Sequence, residues 1–378
     1  MKFIPTFEYS EETILFFSFA AIAFVHLLYV LLLLRKLAFF KEKKTLEISA
    51  LPPITVIIAA RNESDNLFEN LPFILQQNYP EFEVIVINNQ SIDDSFYLLK
   101  AYQQQYPNLR FIEVEKSKHL RQGKKLPITL GIKGAKYDHL VLTDADCRPM
   151  SYNWLTSMAS RYTPETELIL GYGPYQKKNT FLNRLVRFDT SFIASNYFSF
   201  ALAKLSYMGV GRNLAYTKEL FFKVHGFKSH YSLPSGDDDL FVQQVMTRKN
   251  VRIDIEPSSF CFSEAPESFG AWVRQKTRHY STSKQYNVIK KALLGIYPLT
   301  LILMLISFVI LLFSSDFRWL TTSVFALVLV IKWWIQGKGL VKLGEKKLAN
   351  FFPFWDILYA FLIPILFFSV EKKQNNRW

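Results

Sequence analysis

The chain has 378 residues, 50% of them hydrophobic and 16% aromatic, and a formal net charge of +13. This length allows one sizeable soluble core together with membrane segments. Many basic residues lie beside apolar runs and no aromatic-basic nucleic-acid module is found, so we expect a membrane surface or phosphorylated substrate and no nucleic acid. The only two cysteines, Cys147 and Cys261, exclude a disulfide framework and favour a reducing compartment.

Residues 13–34 carry no charge and predict a first transmembrane helix after an N-terminal tail of residues 1–12. A cleaved signal peptide would have a basic start, a shorter apolar run and a small-residue cleavage site. Acidic residues precede the helix and basic residues follow it, namely Glu8, Glu11 and Glu12, then Arg35, Lys36, Lys41, Lys43 and Lys44. The excess of positive charge after the helix places the following domain in the cytoplasm.

Residues 52–150 alternate between short β-branched runs and helical patterns. Strands are predicted over 55–60, 83–87 and 110–114, and another within 137–146; helices are predicted over 66–77, 93–105 and 123–136. Such alternation predicts an α/β domain with a mostly parallel sheet covered on both faces. Residues 151–285 continue this domain.

Polar clusters follow the strands of this predicted sheet. Arg61-Asn62-Glu63 follows the first, Asn88 to Ser91 follows the second, and Asp144-Ala145-Asp146 ends the last. Ligands of open α/β sheets bind at the carboxyl ends of the strands. Because side chains at i and i+2 of an extended chain point the same way, Asp144 and Asp146 could face one hard cation, completed by water and substrate phosphates.

Three further motifs concentrate charge. Gly123-Lys124-Lys125 opens a helix, where free backbone N–H groups favour binding of an anion. It is not a Walker phosphate-binding loop, because the Gly-x4-Gly-Lys-Ser/Thr spacing is absent. Three adjacent carboxylates, Asp237 to Asp239, lie at a predicted helix start, and one of them could act as general base. Gln275 and Arg278 share one helix face, and arginine can bind two oxygens of a diphosphate.

The order of Ala-Arg-Asn-Glu (60–63), Asn-Asn-Gln-Ser-Ile-Asp-Asp (88–94), Gly-Lys-Lys (123–125) and Asp-Ala-Asp (144–146) resembles the family 2 glycosyltransferases. Members of this family include cellulose and hyaluronan synthases and have a GT-A fold. The resemblance implies that residues 52–150 form the nucleotide-sugar-binding half of a Rossmann-like GT-A domain. Residues 151–285 then form its acceptor-binding half.

The resemblance also implies roles for individual residues. It places Mn²⁺ or Mg²⁺ at Asp144 and Asp146, and Lys125 and Arg278 near the diphosphate. The predicted donor-binding set is Ala60, Arg61, Glu63, Asn89, Lys125, Asp144, Gln275 and Arg278, and the predicted acceptor-binding set is Gly209, Gly211, Asp239 and His279.

The catalytic base is predicted at Asp237, by alignment with Glu-Asp-x-Asp-Leu, or at Asp238, by alignment on Gly-Asp-Asp. Two positions depart from the family pattern. Asn89 lies where the family has an aspartate that accepts a hydrogen bond from uracil. Asparagine can still accept this hydrogen bond through its side-chain carbonyl. His279 replaces the tryptophan of Gln-x-x-Arg-Trp, which is common in polymerising members.

Residues 293–370 predict a C-terminal membrane region with two or three helices. Spans are expected over 293–313 and 319–335, with Lys332 snorkelling to one end. Residues 351–370 either span or lie re-entrant, because Pro353, Asp356 and Pro364 interrupt them. The loop 336–350 is basic and should be cytoplasmic.

Together these features predict a multi-pass protein of the inner cell membrane with a cytoplasmic catalytic domain. The expected activity is inverting transfer from a UDP-sugar to a lipid-linked or glycan acceptor, beside membrane lipid. A processive polysaccharide synthase and a catalytically degenerate glycan-binding protein remain alternatives.

Overall fold

A computed structural model of the chain describes residues 10–42, 51–116, 123–233, 235–313 and 316–375. The fold divides into two compact units. One is Lys41–Gln285, and the other combines Met1–Phe40 with Tyr286–Trp378. The first is the predicted α/β domain, and the second contains the long apolar helices.

The first half of the α/β domain alternates strands and helices as the sequence predicts. The strands are β1 (Ile54–Ala60), β2 (Phe82–Asn89), β3 (Leu109–Val114) and β4 (His139–Asp144). The helices between them are α2 (Ser64–Leu75), α3 (Ser95–Gln105) and α4 (Lys125–Gly134). The β1 and β2 runs are almost wholly buried, as expected for strands that helices cover on both faces.

Within the described residues, seven strands form one sheet in the order β3-β2-β1-β4-β7-β6-β8. The first four are parallel, and β7 (Leu214–Thr217) runs antiparallel to both β4 and β6 (Leu168–Leu170). The strand β8 (Val251–Ile253) lies parallel to β6. Ala59 lies opposite Asp144, so β1 and β4 reach the same edge of the sheet, where the polar clusters begin.

The second half of the domain adds five helices and a small two-stranded sheet to the part of the chain that is described. The helices are α5 (Trp154–Ala159), α6 (Phe181–Leu202), α7 (Lys218–Lys223), α8 (Asp239–Val245) and α9 (Phe269–Ser283). The small sheet pairs β5 (Arg148–Pro149) with β9 (Cys261–Phe262). Thr180 caps α6 by accepting from the Asn183 N–H.

Asn213, directly before β7, fixes the loop that carries Gly211 and Arg212. Its side-chain amide donates to the carbonyls of Tyr172 and Ser259, at 2.9 and 2.7 Å. Its oxygen accepts from the indole N–H of Trp154 at 3.0 Å. Because the residue is fully buried, losing these partners would leave polar groups unpaired in the core.

The second unit contains α1 (Glu11–Ala38), α10 (Val288–Phe313), α11 (Arg318–Lys342), α12 (Lys346–Asn350) and α13 (Phe352–Asn375). Among the described residues, α1, α10 and α11 are long and apolar enough to cross a membrane. A π-helical turn over Val30–Leu34 interrupts α1. These positions agree with the three clear spans expected from the sequence.

The expectation that Lys332 snorkels is wrong. Its side chain is 1% exposed and its ammonium lies 2.6 Å from the equally buried carboxylate of Asp356 on α13. The other oxygen of Asp356 accepts from the Tyr297 hydroxyl at 2.7 Å, and that hydroxyl accepts from Gln336 at 2.9 Å. A buried charge in an apolar bundle needs such a partner, and the sequence pattern of α11 alone does not show it.

Candidate active site

The loops that follow β1 and β2 are joined by hydrogen bonds. The backbone N–H of Asn62 donates to the Ser91 hydroxyl at 2.9 Å, and the Ile92 N–H donates to the Asn62 side chain at 2.8 Å. The Ser64 N–H donates to Asp93 at 2.9 Å. Asn62 and Gln90 both have positive φ, at 55° and 58°, a conformation that asparagine tolerates better than most residues. The two predicted donor loops therefore lie side by side.

Asp144 and Asp146 lie at the end of β4, where the sequence predicts a cation. The donor atoms of Asp144, Asp146 and Cys147 lie within 4.8 Å of one another. Asp144 is half-buried, Asp146 is exposed and Cys147 is buried. Carboxylate oxygens at this spacing suit a hard divalent cation such as Mn²⁺ or Mg²⁺.

The lysine beside this pair is Lys124, not the predicted Lys125. The Lys124 ammonium lies 2.7 Å from a carboxylate oxygen of Asp144. Lys125 is 4% exposed, and its ammonium donates to the carbonyls of His230, Leu233 and Ser235 at 2.5–2.9 Å. An ammonium has three donors, so Lys125 has none left for a diphosphate. It holds instead the segment that leads to the acidic run.

Opposing effects act on the carboxyl groups around Lys124. Burial disfavours the charged form of Asp144 and so raises its pKa. The positive charge of Lys124, together with those of Arg212 and Arg278, has the larger effect and holds the pKa of Asp144 below its usual range. At Glu63, burial raises the pKa, and the nearby charge of Asp146 adds to that effect although Asn66 donates a hydrogen bond. Glu63 thus lies near the Asp-Ala-Asp turn.

The three adjacent aspartates have different surroundings. Both oxygens of Asp238 accept from backbone N–H groups, those of Gly211 and Asp239, at 3.0 and 2.8 Å. Asp239 is 6% exposed and accepts from the Leu240 N–H and the Thr282 hydroxyl. Its predicted role in acceptor binding is therefore wrong in this structure, because its oxygens are used inside the domain to join α8 to α9.

Asp237 and Asp144 line the same small cavity, which has room for about one water molecule. The pocket is lined by Ile57, Ala59, Ile128, Leu142, Thr143, Asp144, Gly211, Leu214 and Asp237. Burial, and then the charge of Asp238, raise the pKa of Asp237 to about 6, while Lys124 opposes the shift. A carboxylate with such a pKa can accept a proton near neutral pH.

The two predicted acceptor glycines differ in position. A methyl group on Gly211 would lie 3.8 Å from the carboxylate oxygens of both Asp237 and Asp238, so this residue is at the site. Gly209 is buried, and a methyl there would lie 2.9–3.2 Å from Leu214, Leu170 and Val242. The prediction that Gly209 lines an acceptor wall is wrong, because its backbone packs in the core.

Helix α9 carries the Gln-x-x-Arg pair, Gln275 and Arg278, toward the carboxylates of the site. The Gln275 amide donates to the Tyr175 hydroxyl at 2.9 Å, and the Arg212 guanidinium lies 4.4 Å from the centre of the Tyr175 ring. Arg278 is exposed, and its charge contributes to the lowered pKa of Asp144. The neighbouring His279 is also exposed.

The remaining predicted donor residues lie at the ends of β1 and β2. Ala60 and Asn89 are buried, 1% and 5% exposed, whereas Arg61 is exposed. The structure thus brings Glu63, Asp144, Asp146, Asp237 and Arg278 to one edge of the sheet.

Sequence reasoning missed Lys124 and Arg212. The Arg212 guanidinium donates to the Ser263 hydroxyl at 2.9 Å, and the nearby charges of Asp144 and Asp146 favour its charged form. The signal was present, since Arg212 directly follows the Gly-Val-Gly turn and precedes β7. The motif itself predicts a role only for its glycines.

This sheet order and the aspartates at its edge define a GT-A-type glycosyltransferase. A family comparison agrees: the model of glycosyl transferase family 21 matches residues 15–378. The chain belongs to this glycosyltransferase family. The resemblance to GT-A glycosyltransferases is confirmed, with family 21 as the matching description.

The curated relatives are distant and longer. A poly-beta-1,6-N-acetyl-D-glucosamine synthase of Staphylococcus aureus (strain MSSA476) is 24% identical over 241 residues, 63% of this chain and 56% of that protein. A synthase of the same name from Staphylococcus epidermidis is 21% identical over 230 residues, 60% and 53% of the two chains. The chain therefore spans about half the length of the curated relatives it matches.

Among solved structures, the mannosyltransferase PcManGT from Pyrobaculum calidifontis, in complex with GDP-Man and Mn²⁺, aligns with a TM-score of 0.55. The alignment covers 88% of this chain and 98% of that chain at 19% identity. This likeness confirms the fold.

Proposed function

We propose that this protein transfers a sugar from a nucleotide-sugar donor, with a divalent cation, by a single in-line displacement that inverts the anomeric carbon. One observation carries the proposal. Asp144, at the end of β4, and Asp237, almost a hundred residues later, line one pocket, and the charge of Lys124 acts on both. Asp144, which could bind the divalent cation, Asp237, which could accept a proton, and Lys124, which could bind phosphate, are thus close together.

Asp144 and Asp146 are the residues that would hold Mn²⁺ or Mg²⁺. Their hard oxygen donors lie close together at the end of β4, where Asp146 is exposed, and a cation held there would complete its shell with water and phosphate oxygens. A cation bound there would supply charge stabilisation to the departing nucleoside diphosphate. Lys124 would add its ammonium to this stabilisation once a cation competes for Asp144.

Asp237 is the proposed general base. Of the three adjacent aspartates, it is the one that lines the pocket, whereas both oxygens of Asp238 already accept from backbone N–H groups. An ionised Asp237 would take the proton of the acceptor hydroxyl as that oxygen attacks the sugar. Attack from the face opposite the leaving group would invert the anomeric carbon.

Arg278 and Arg212 are the proposed partners of the diphosphate. The charges of both act on Asp144, and a planar guanidinium can bind two phosphate oxygens. Gln275 would act through Tyr175, whose ring lies against Arg212, and so hold that arginine in place. Glu63, Arg61 and Asn89 remain proposed contacts of the nucleoside.

For the donor we propose a UDP-sugar, with UDP-N-acetylglucosamine as the first compound to test. The names of the curated relatives support an N-acetylglucosamine donor. The amide of Asn89 can accept from a base through its oxygen and donate through its nitrogen. GDP-mannose is the matched alternative, because the mannosyltransferase of similar fold was solved with it.

For the acceptor we propose a lipid-linked or growing glycan at the membrane. Three helices of the described residues are able to cross a membrane, and basic residues follow the first of them. This charge distribution supports an inner-membrane location with the α/β domain in the cytoplasm. His279, which lies where the family motif has a tryptophan, is a proposed contact of the acceptor.

A processive polysaccharide synthase is the second candidate. The similarity to synthases of a glucosamine polymer favours it. A single transfer gives one product of defined size, whereas a processive enzyme gives a broad distribution. Sizing of the radiolabelled product separates the two.

The test is a donor screen on the purified full chain, with Mn²⁺ or Mg²⁺ and detection of released nucleoside diphosphate. We expect release from one donor, loss of it with a chelator, and loss in Asp144→Asn. Asp65→Asn is the matched control, because Asp65 is exposed on α2. No release from any nucleotide sugar would contradict the proposal and favour a catalytically degenerate protein.

A further inference from the structure

Arg148 lies between two aromatic rings, two residues after the Asp-Ala-Asp turn. The central carbon of its guanidinium is 4.9 Å from the ring centre of Phe73 on α2 and 4.9 Å from that of Phe262 on β9. Phe262 directly opposes Arg148 in the small two-stranded sheet. A cation over ring faces is attracted by the rings without using its N–H groups for hydrogen bonds to oxygen. The two rings therefore hold the side chain and leave its donors for another group.

Those donors have no acceptor in the part of the chain that the structure describes. Among the described residues, the Arg148 guanidinium forms no ion pair and no hydrogen bond, and its contacts are the two rings. By contrast, Arg161 forms an ion pair with Asp254 at 3.2 Å, and Arg212 donates to Ser263 at 2.9 Å. A planar guanidinium whose N–H groups have no acceptor is suited to bind two oxygens of one phosphate.

Arg148 opens to the same side of the chain as the proposed cation ligands. Positions 144, 146, 148 and 150 are half-buried or exposed, whereas the three positions between them are buried. Two residues span at most about 7 Å, so the backbone of Arg148 lies close to that of Asp146. Helix α2 holds both features, because Asn70 donates to the Ala145 carbonyl at 3.2 Å and Phe73 follows about one turn later.

The surface beside the guanidinium is open and partly apolar. The ring of Tyr152 stacks on that of Phe73, with 6.1 Å between the centres and 22° between the planes. Tyr152 is 48% exposed and Met150 is 55% exposed. The Asn78 N–H donates to the Tyr152 carbonyl at 2.7 Å, which fixes this segment beside the end of α2. A fixed positive charge beside exposed rings suits a phosphate that is joined to a lipid or a sugar.

We propose that Arg148, held by Phe73 and Phe262, binds a phosphate group of the acceptor, so that the acceptor of this enzyme is a phosphate-bearing molecule. The proposal rests on the proposed transfer function. The donor diphosphate is a separate ligand: the charges of Arg212 and Arg278 act on Asp144, whereas Arg148 is directed at the rings of α2 and β9. The lipid or sugar joined to the phosphate would lie on the exposed rings.

The test measures the binding of two phosphate probes to the detergent-purified full chain by calorimetry. Geranyl phosphate represents a lipid phosphate and N-acetylglucosamine 1-phosphate a sugar phosphate, and geraniol and N-acetylglucosamine are their uncharged counterparts. Each titration is made without nucleotide and with Mn²⁺ and saturating nucleoside diphosphate, which occupies the donor site. We expect at least one phosphate to bind under both conditions and its uncharged counterpart to bind at least about tenfold more weakly. The probe that binds identifies the source of the phosphate.

Substitutions then locate the binding. Arg148→Met should weaken it by about 10–100-fold, the loss expected for hydrogen bonds to a charged group. Arg148→Lys should give an intermediate affinity, because lysine keeps the charge without the planar fork. Arg252→Met is the matched control, since Arg252 is exposed on the edge strand β8 and donates to the carbonyls of Lys249 and Val251. It should bind the probe as the wild type does.

The rings provide a second pair of variants. Phe73→Leu should weaken phosphate binding by a smaller factor than Arg148→Met, because Arg148 keeps its charge but loses one of the two faces that hold it. Phe68→Leu is the control on the same helix, since Phe68 is 64% exposed. Its affinity for the probe should equal that of the wild type.

Each outcome decides the proposal. Equal affinities in the wild type and Arg148→Met would overturn it, and so would a wild type that binds neither phosphate. Weaker binding of the nucleoside diphosphate in Arg148→Met, with unchanged binding of the probe, would assign Arg148 to the donor and also overturn it. If Arg148→Met does not fold, Arg148→Lys still decides. Failure of the proposed function looks different: no nucleotide sugar is turned over, whichever phosphate binds.

Discussion

Asp237, Asp238 and Asp239 are chemically identical, and only their surroundings separate them. Asp238 caps a helix and holds the Gly211 N–H, Asp239 binds Thr282, and Asp237 lines the pocket. We predict that Asp237→Asn lowers turnover by about 10²–10⁴-fold, the usual contribution of a general base. Donor affinity should change little. Single-turnover rates and donor binding by calorimetry check this, and an undiminished rate would contradict the assignment.

The pH dependence follows from the raised pKa of Asp237, about 6. The base must be ionised, so transfer should rise through pH 6 and level off above it. Stability should behave in the opposite way. The folded state binds the proton more tightly than the unfolded state, so ionisation of Asp237 destabilises the fold as pH rises from about 4 through about 6.

Asp237→Asn removes this penalty. We expect the variant to be more stable than the wild type by about 1–3 kcal/mol above pH 7, with little difference below pH 4, where the wild-type carboxyl is neutral. Thermal unfolding of the metal-free protein at several pH values measures it. A variant that is less stable than the wild type at every pH would contradict the raised pKa.

Substitutions of Lys124 and Lys125 test whether Lys124 binds the donor while Lys125 holds the neighbouring loop. Lys124→Met should reduce donor affinity and turnover with little change in stability, because its ammonium is partly exposed beside Asp144. Lys125→Met should destabilise the domain instead, since three carbonyls lose a charged donor. Unfolding curves and donor KM values for both variants separate the two roles. The same phenotype in both would contradict the correction.

These residues show where a sequence pattern stops being informative. The motif order predicted which segments meet at the edge of the sheet, because the ends of parallel strands converge there. It could not choose between Lys124 and Lys125, or among the three aspartates. Adjacent residues at a helix start point in different directions, and the direction of Lys125 depends on its contacts with the carbonyls of His230, Leu233 and Ser235. The same limit explains Gly209, which only the tertiary structure places in the core.

At the scale of elements, the first half of the domain was predictable and α6 was not. Strands of β-branched residues between helical patterns have a clear period, so their positions agree with the structure within about two residues. Helix α6 has serine, asparagine and aspartate among its buried residues, which hides the apolar stripe. Its contacts, including the buried Asp189, become visible only when α9 is packed beside it.

The buried Asp189 and Lys276 pair joins α6 to α9, the helix of Gln275 and Arg278. Their charged groups lie 2.5 Å apart with each side chain 4% exposed, and Trp272 donates to the same carboxylate at 3.3 Å. We predict that Asp189→Asn destabilises the domain by about 3–5 kcal/mol, because Lys276 keeps an uncompensated buried charge. Urea unfolding measures this, and donor KM should rise as Arg278 loses its position.

The exposed pair Lys178 and Glu264 is the control for that prediction. Its atoms lie at a similar distance, 2.6 Å, but the side chains are 47% and 55% exposed. Glu264→Gln should therefore cost less than about 1 kcal/mol. If both variants cost the same, the orientation of α9 does not depend on the buried pair.

At the scale of the whole molecule, the protein combines a domain whose chemistry the sequence predicts with a membrane unit whose polar contacts it does not. Hydropathy predicts where α1, α10 and α11 lie, because a span needs only length and apolar composition. The partner of Lys332 depends on which helices are neighbours. That information is absent from the local pattern, so a charge read as a snorkelling residue is in fact paired inside the unit.

The last prediction concerns this pair, Lys332 and Asp356. In an apolar bundle, removing one partner leaves a charge without compensation, which is strongly destabilising, whereas replacing both with apolar residues is often tolerated. We expect Asp356→Leu to lower the thermal stability of the detergent-purified protein sharply and Lys332→Leu/Asp356→Leu to restore most of it. Tyr297 and Gln336 keep each other as partners in the double variant. Transfer activity should follow stability in this series. If the double variant is as unstable as the single one, the ion pair stabilises the bundle by more than removing an uncompensated charge. A double variant that is stable but inactive would assign the pair a role in the reaction.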